Sequence, residues 1–389
     1  MNRYASAADL GIMLGSPPAP AARVTLANWH VPPWNRWGYL HTREILPTVG
    51  IARGSGPIWT FPRGTRLDLE PVHDFLAHSW TDALVVVSRG ELVAEEYRNG
   101  MHEETRHLSM SVGKSITSLV VGALAGRDLI DTRALITGYI PELLGSACTG
   151  ATVQHALDMQ VAGGWEVVYP KDANEFSSLE AACGWIPAPP GWSTTLFEYM
   201  RATKSDGLHG VRVHYSCLNT DSLGLIAERV TGQRFSDVAS EALWAPTGME
   251  FDADLTVEPG GMAVADGGYC IAARDFARIG QLVLERGVAG GRRVIPEAWI
   301  DEYERPHPGP FATTSYGADW PGAAYHNQWW QMDGRLYAVG VHGQMIAVDR
   351  RTETVVVFLS SAPEPDNVSY ALAQRSLVDT ITRHLGHRA

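Results

Sequence analysis

The chain has 389 residues, with 31 Lys and Arg against 43 Asp and Glu, for a formal net charge of −12. It has no extended basic run and no apolar stretch of the roughly 18 residues a membrane span needs, so neither nucleic acid nor a membrane is an expected partner. Its 45% hydrophobic and 19% charged residues suit an ordinary globular protein, and the length predicts two domains or one large domain with an insertion.

In chain order, residues 1–80 are rich in Pro, Gly and Trp with little periodicity, and read as an N-terminal arm. Ala83–Ser88 and Glu91–Arg98 flank Arg89-Gly90, a pattern that predicts a β-hairpin. Apolar residues at Ile116, Leu119, Val120, Ala123 and Leu124 recur at spacings of three and four, predicting a helix over 111–127 with one buried face. Residues 130–255 read as helices and loops, including a helix through Leu223–Val230 stopped by Gly232. A further helix is expected around Phe276–Val283. Strands are expected at 335–341, 345–348 and 354–359, and a closing helix at 367–386 with Leu372, Ser376, Ile381 and Leu385 near one face. Strands near both ends of the chain, split by a helical block, predict an antiparallel sheet completed by distant segments.

Four cysteines without a C-x-x-C pair form no disulfide framework, and the N-terminus lacks a signal-peptide core. A cytoplasmic setting is expected.

The informative stretch is Leu108–Ser118, LSMSVGKSITS. Gly113-Lys114-Ser115 could end a phosphate-binding loop, but such a loop needs glycine where Leu108 stands and a hydrophobic strand leading into it. Neither is present. The other reading is Ser-x-x-Lys. Residues three apart share a helix face, so Lys114 would lie beside the Ser111 hydroxyl. A lysine whose pKa is lowered by burial can take the serine proton and activate it as a nucleophile. Two more elements follow. Tyr215, in HYSCLNTDSLG, precedes a helix and could relay a proton. In AVGVHGQMIAVD, Gly340 and Gly343 interrupt a strand, as at a close backbone approach. His102 and His107 are spaced wrongly for the helical zinc motif. Trp165, Trp185, Trp329 and Trp330 are candidates for a pocket wall or for core.

Taken in order, Ser111–Lys114, Tyr215 and the strand at Gly340 resemble the signatures of serine hydrolases related to class C β-lactamases and penicillin-binding proteins. NWHVPPWNRWGYLH (28–41), MSVGKS (110–115), YSCLNTD (215–221), GGYCIAARD (267–275) and GVHGQ (340–344) resemble the branch of 6-aminohexanoate-dimer hydrolases, which degrade nylon oligomers. The resemblance implies an α+β fold: an antiparallel sheet flanked by helices over 1–130 and 256–389, with a mainly helical insertion over 131–255. It implies a Ser111, Lys114, Tyr215 triad, an oxyanion hole from the N–H groups of Ser111 and Val341, and substrate contacts from Tyr169, Glu180, Asp266 and His342. It implies a small amide or ester substrate and no cofactor or metal. A homodimer is compatible with it. Two departures stand out: Ala338-Val339-Gly340 replaces Lys-Thr-Gly, and Cys217 stands where Tyr-x-Asn has its asparagine. The first suits an amidase or carboxylesterase better than a penicillin-recognising enzyme. A penicillin-binding sensor that acylates without turnover is the alternative class.

Overall fold

The computed structural model describes residues 3–163, 175–305, 320 and 322–387. Strand β1 (Thr48–Ile51) lies within the segment read as an arm. Strands β2 (Thr81–Ser88) and β3 (Glu91–Tyr97) form the expected hairpin. Its two turn residues, Arg89 at φ 50° and Gly90 at φ 77°, adopt the positive φ that matches the twist of paired strands. Strand β4 (Arg106–Leu108) then leads into the Val112–Ala125 helix. After the insertion come β5 (Ala253–Thr256), β6 (Tyr269–Ala272) and a short pair, β7 (Val288–Ala289) with β8 (Arg292–Arg293). The chain ends with β9 (Ala324–His326), β10 (Trp329–Met332), β11 (Arg335–Gly340), β12 (Gln344–Asp349), β13 (Thr354–Ser360) and the Val368–Gly386 helix.

The main sheet runs β3-β2-β13-β12-β11-β10-β9, every pair antiparallel. The N-terminal hairpin thus docks on β13 from the far end of the chain, as the split strand pattern anticipates. Side chains alternate across a pleated strand, so β13 feeds two cores. Val355 faces the Ala273–Leu284 helix, where a Cβ on Gly280 would lie 2.5 Å from Val355 Cγ1. Phe358 faces the other way and meets Phe75, from the Glu70–Ala77 helix, with ring centroids 5.7 Å apart. Tyr370 of the closing helix stacks on Phe75. That helix is capped by Asn367, whose side chain accepts the Tyr370 N–H at 2.9 Å. Leu372 is 46% exposed, contrary to expectation. The buried stripe runs instead through Tyr370, Gln374, Leu377, Val378, Ile381 and Leu385.

A second sheet, β1-β5-β6-β4, was not legible as a unit, because its four strands, of three or four residues each, are too short to show a period. It places the site. β4 pairs with β6 through Leu108 and Cys270, and the Ser109 N–H donates to Tyr269 O at 2.7 Å. The end of β4 and the approach to β6 are therefore held side by side. The expected boundary at 255/256 falls inside β5.

The Val112–Ala125 helix is buried on nearly every side, not on one face. Fully burying an aliphatic side chain contributes ~1.5–3 kcal/mol, and the helix carries six Val, Ile and Leu residues. Its hydroxyls are satisfied by loop carbonyls: Ser115 by Gln328 at 2.6 Å, Thr117 by Ala265 at 2.7 Å and Ser118 by Asn327 at 2.7 Å. The Cys217–Thr231 helix of the insertion packs alongside it and ends at Gly232 with φ 68°. Among the described residues, no helix is long and apolar enough to cross a membrane.

Candidate active site

Ser111 is the N-cap of the buried helix and follows Met110, whose φ of 46° is strained for a residue with a side chain. This turn lifts Ser111 to the junction of two cavities. One, of 70 Å³, is lined by Tyr215, Trp330, Val339, Val341 and Tyr370, among others. The other, of 630 Å³, is lined by His30, Tyr39, Glu180, Trp185, Cys217, Asp266, Val341 and His342, among others.

Lys114 Nζ lies 3.0 Å from Ser111 Oγ, as helical spacing predicts. It also lies 2.8 Å from Asp266 Oδ2, 3.4 Å from Cys217 Sγ and 3.5 Å from Asp266 O. Its charge state differs from expectation. Burial pushes the amine pKa down, but the negative charge of Asp266, with smaller contributions from Cys217 and Tyr215, outweighs burial and holds it well above the ordinary lysine value. The resting amine is an ammonium. The Tyr215 hydroxyl is hydrogen-bonded to the Ser111 side chain, and burial raises its pKa against the pull of Lys114 and Ser111. Trp330 and Tyr325 hold the Tyr215 ring, with centroids 5.6 and 5.7 Å away.

Gly340 explains the glycines in the third element. A Cβ there would sit 3.0 Å from the Ser111 backbone nitrogen and 2.9 Å from Ser109 O. The close approach is between the strand and the turn that carries Ser111, and it sets Val341 beside Ser111. Gln344 pins the turn by bonding Ser360 O at 2.6 Å, while His342 sits at φ 62° with Nδ1 2.7 Å from Ala362 O. Burial pushes His342 down to about 4, so it is neutral. It lines the larger cavity, and it also holds the turn.

Glu180 lies on the Glu175–Ala182 helix at the larger cavity, and burial raises its pKa to about 8. His30 Nε2 is 3.7 Å from Glu180 Oε1, but burial pushes His30 down to about 4. The contact is not an ion pair, and among the described residues Glu180 has no cation opposite it. Asp266, expected to contact substrate, lines the larger cavity, and its Oδ2 also engages Lys114. Tyr169 and Trp165 lie outside the described residues. Trp185 and Trp330 line the cavities, while Trp329 is core. Asn219 does not stand in for the missing motif asparagine: its side chain bonds His214 O at 3.2 Å, and Cys217 takes the place beside Lys114.

Sequence reading missed His30 and Tyr39 as cavity residues, although the segment containing them carried part of the resemblance. It also missed Asp221, whose Oδ1 accepts the Asp266 N–H at 3.1 Å and whose pKa is raised by burial and then by Asp266. Gly113, which suggested a phosphate loop, has a packing reason: a Cβ would lie 3.0 Å from Asp266 O. His107 is buried against Asp82 at 3.2 Å, and no cluster suited to a metal occurs among the described residues.

Fold and site together define a hydrolase of the β-lactamase and penicillin-binding-protein type, and the chain belongs to the beta-lactamase family, whose model matches residues 74–379. Within it, the chain is 35% identical over 378 residues to the 6-aminohexanoate-dimer hydrolase of Paenarthrobacter ureafaciens, covering 95% of this chain and 96% of that one. A solved structure from Bacillus anthracis, provisionally assigned the same activity, matches with a TM-score of 0.84 at 27% identity over 95% of this chain and 99% of its own. A D-stereospecific amidohydrolase from Streptomyces sp. shares the fold at 16% identity, with a TM-score of 0.60 over 79% of this chain and 98% of its own.

Proposed function

We propose that the protein cleaves linear amides of the 6-aminohexanoate type, and short-chain esters, through an acyl-enzyme on Ser111. The observation that carries this reading is the contact of Ser111 Oγ with Lys114 Nζ at 3.0 Å, beside the Tyr215 hydroxyl, where two cavities meet. Ser111 attacks the carbonyl carbon while Lys114 takes its proton. The N–H groups of Ser111 and Val341 stabilise the oxyanion, each such donor being worth on the order of a hundredfold in rate. Tyr215 protonates the leaving nitrogen or oxygen. It lines only the smaller cavity, which favours that side for the leaving group and the larger cavity for the acyl chain.

The larger cavity also supports the amide reading. Glu180 is a mostly buried carboxyl with no cation opposite it among the described residues, and Glu364 and Asp366 line the same space. A terminal ammonium on the acyl chain would supply the missing cation. His342 would contribute to that wall, and Tyr169 is proposed as a contact to the amide.

The test compares hydrolysis of the linear aminohexanoate dimer and a short-chain nitrophenyl ester by wild type and Ser111→Ala. Continued turnover of both, abolished in the variant, supports the reading. Turnover of the ester alone makes the protein a carboxylesterase. A single burst that stalls makes it a penicillin-binding type of sensor.

A further inference from the structure

The resting site poses a problem of protons. Lys114 Nζ donates toward three different groups, Ser111 Oγ at 3.0 Å, Asp266 Oδ2 at 2.8 Å and Cys217 Sγ at 3.4 Å. An ammonium so engaged has no lone pair with which to accept the Ser111 proton. One of its own protons must leave first, or at the same moment. Cys217 offers a neutral thiol and Asp266 O a carbonyl, both far weaker bases than a carboxylate. Asp266 Oδ2 is also the nearest of these atoms.

We propose that Asp266 is the proton acceptor behind Lys114, a positioning residue that makes the lysine able to accept the serine proton. The inference rests on the Ser111, Lys114, Tyr215 reading above. Lys114 passes one N–H proton to Asp266 Oδ2 as it takes the proton from Ser111 Oγ. The serine oxygen bonds to the carbonyl carbon, and the carbonyl π pair moves onto its oxygen. Lys114 is an ammonium before and after, Asp266 changes from carboxylate to acid, and the negative charge moves to the oxyanion. On collapse, Tyr215 gives its proton to the leaving group, Lys114 restores Tyr215, and Asp266 returns its proton to Lys114.

The structure holds Asp266 for this task. Its backbone is pressed against the nucleophile helix, where a Cβ on Gly113 would lie 3.0 Å from Asp266 O. A Cβ on Gly267 would lie 3.3 Å from Met110 C. The Asp266 N–H donates to Asp221 Oδ1 at 3.1 Å. The groups facing the pair are Tyr215, Cys217 and Asp221 from the insertion, with Cys183 nearby. Burial and then the neighbouring Asp266 charge raise the Asp221 pKa, and burial holds the cysteines as thiols. Because Lys114 stays charged while the single negative charge moves from Asp266 to the oxyanion, the buried site holds one charge of each sign throughout the step.

The experiment measures kcat and KM on a nitrophenyl ester from pH 5 to pH 10 for wild type, Asp266→Asn, Asp266→Glu and Ser111→Ala. Asp266→Asn should lose about tenfold or more in kcat at pH 7 with KM little changed. Its residual activity should climb with pH up to the pKa of Lys114, which burial lowers once the Asp266 charge is gone, because Lys114 must then lose its proton to solvent. Asp266→Glu should recover part of kcat and keep the wild-type profile. An asparagine variant with wild-type kcat and an unshifted profile overturns the proposal while an inactive Ser111→Ala leaves the triad standing. An active Ser111→Ala removes both. If the asparagine variant does not fold, the glutamate variant decides: a profile that departs from the wild type's and climbs with pH overturns the proposal.

Discussion

Gly340 and Ser111 touch backbone to backbone: a side chain on Gly340 would begin 3.0 Å from the Ser111 amide nitrogen. Because Ser109 O and Gln344 Cβ lie within 2.9 and 3.1 Å of the same point, the strand has nowhere to shift without opening the turn that carries Ser111. Gly340→Ala should therefore lower kcat about tenfold to a hundredfold, at the scale of one lost oxyanion donor, with a smaller effect on KM. Steady-state kinetics on a short ester check this, and an alanine variant with parental kcat would separate the strand from the oxyanion hole.

Glu180 should set the affinity for cationic substrates. Burial raises its pKa to about 8, so the carboxyl is largely neutral at pH 7 and charged above pH 8. An aliphatic ammonium stays charged to about pH 10. KM for the aminohexanoate dimer should therefore fall as pH rises through 8, and KM for a neutral ester should not. Glu180→Gln should flatten that dependence and raise KM for the dimer by about tenfold. A flat KM profile in the wild type would sink the role.

The same residue should destabilise the fold at neutral pH. Its folded pKa of about 8 lies above the ordinary 4.5, so the folded state binds more protons between those values. Stability is greatest below pH 4.5 for this group and is lost as pH rises toward 8. Glu180→Gln should accordingly gain about 1 kcal/mol or more at pH 7.5, read as roughly 2 °C in Tm, and gain much less at pH 4.5. Thermal melts at the two pH values decide it.

Asp82 should be a structural keystone. It is fully buried, with Arg36 Nη1 2.7 Å from Oδ1, and Ser361 Oγ at 2.6 Å and His107 Nε2 at 3.2 Å from Oδ2. These partners tie the N-terminal segment, β4 and the end of β13 together. Asp82→Ala leaves a buried guanidinium uncompensated and should cost about 3–5 kcal/mol. Denaturant titration measures this, and a loss below about 1 kcal/mol would contradict it.

The cysteines should resist alkylation. All four are buried free thiols. Burial raises Cys148 to about 11 and Cys270 to about 12, and it drives Cys183 and Cys217 well above the usual value. Since the thiolate is the nucleophile, iodoacetamide at pH 7.5 should leave activity intact in the folded protein. Rapid inactivation, prevented by Cys217→Ala, would show that the thiol beside Lys114 is accessible and ionised.

Much of this protein is local and so was legible. Hydrophobic spacing marks the Val112–Ala125 helix, Arg89-Gly90 marks the hairpin, and Ser111 and Lys114 share a helix face because three residues make nearly one turn. The short strands β1, β4, β5 and β6 were not legible, since three or four residues carry no measurable period. Nor was the charge on Lys114. Its state depends on Asp266, 152 positions away, and that approach depends on β4 pairing with β6 and on Gly113 lacking a side chain. Glu180 is likewise an ordinary acid in the sequence. It becomes a carboxyl titrating near 8 only when the fold removes water from around it. Residue types and their near spacing determined what chemistry is available. Tertiary structure decided which groups are charged, because charge in a protein interior is set by neighbours that local sequence does not specify.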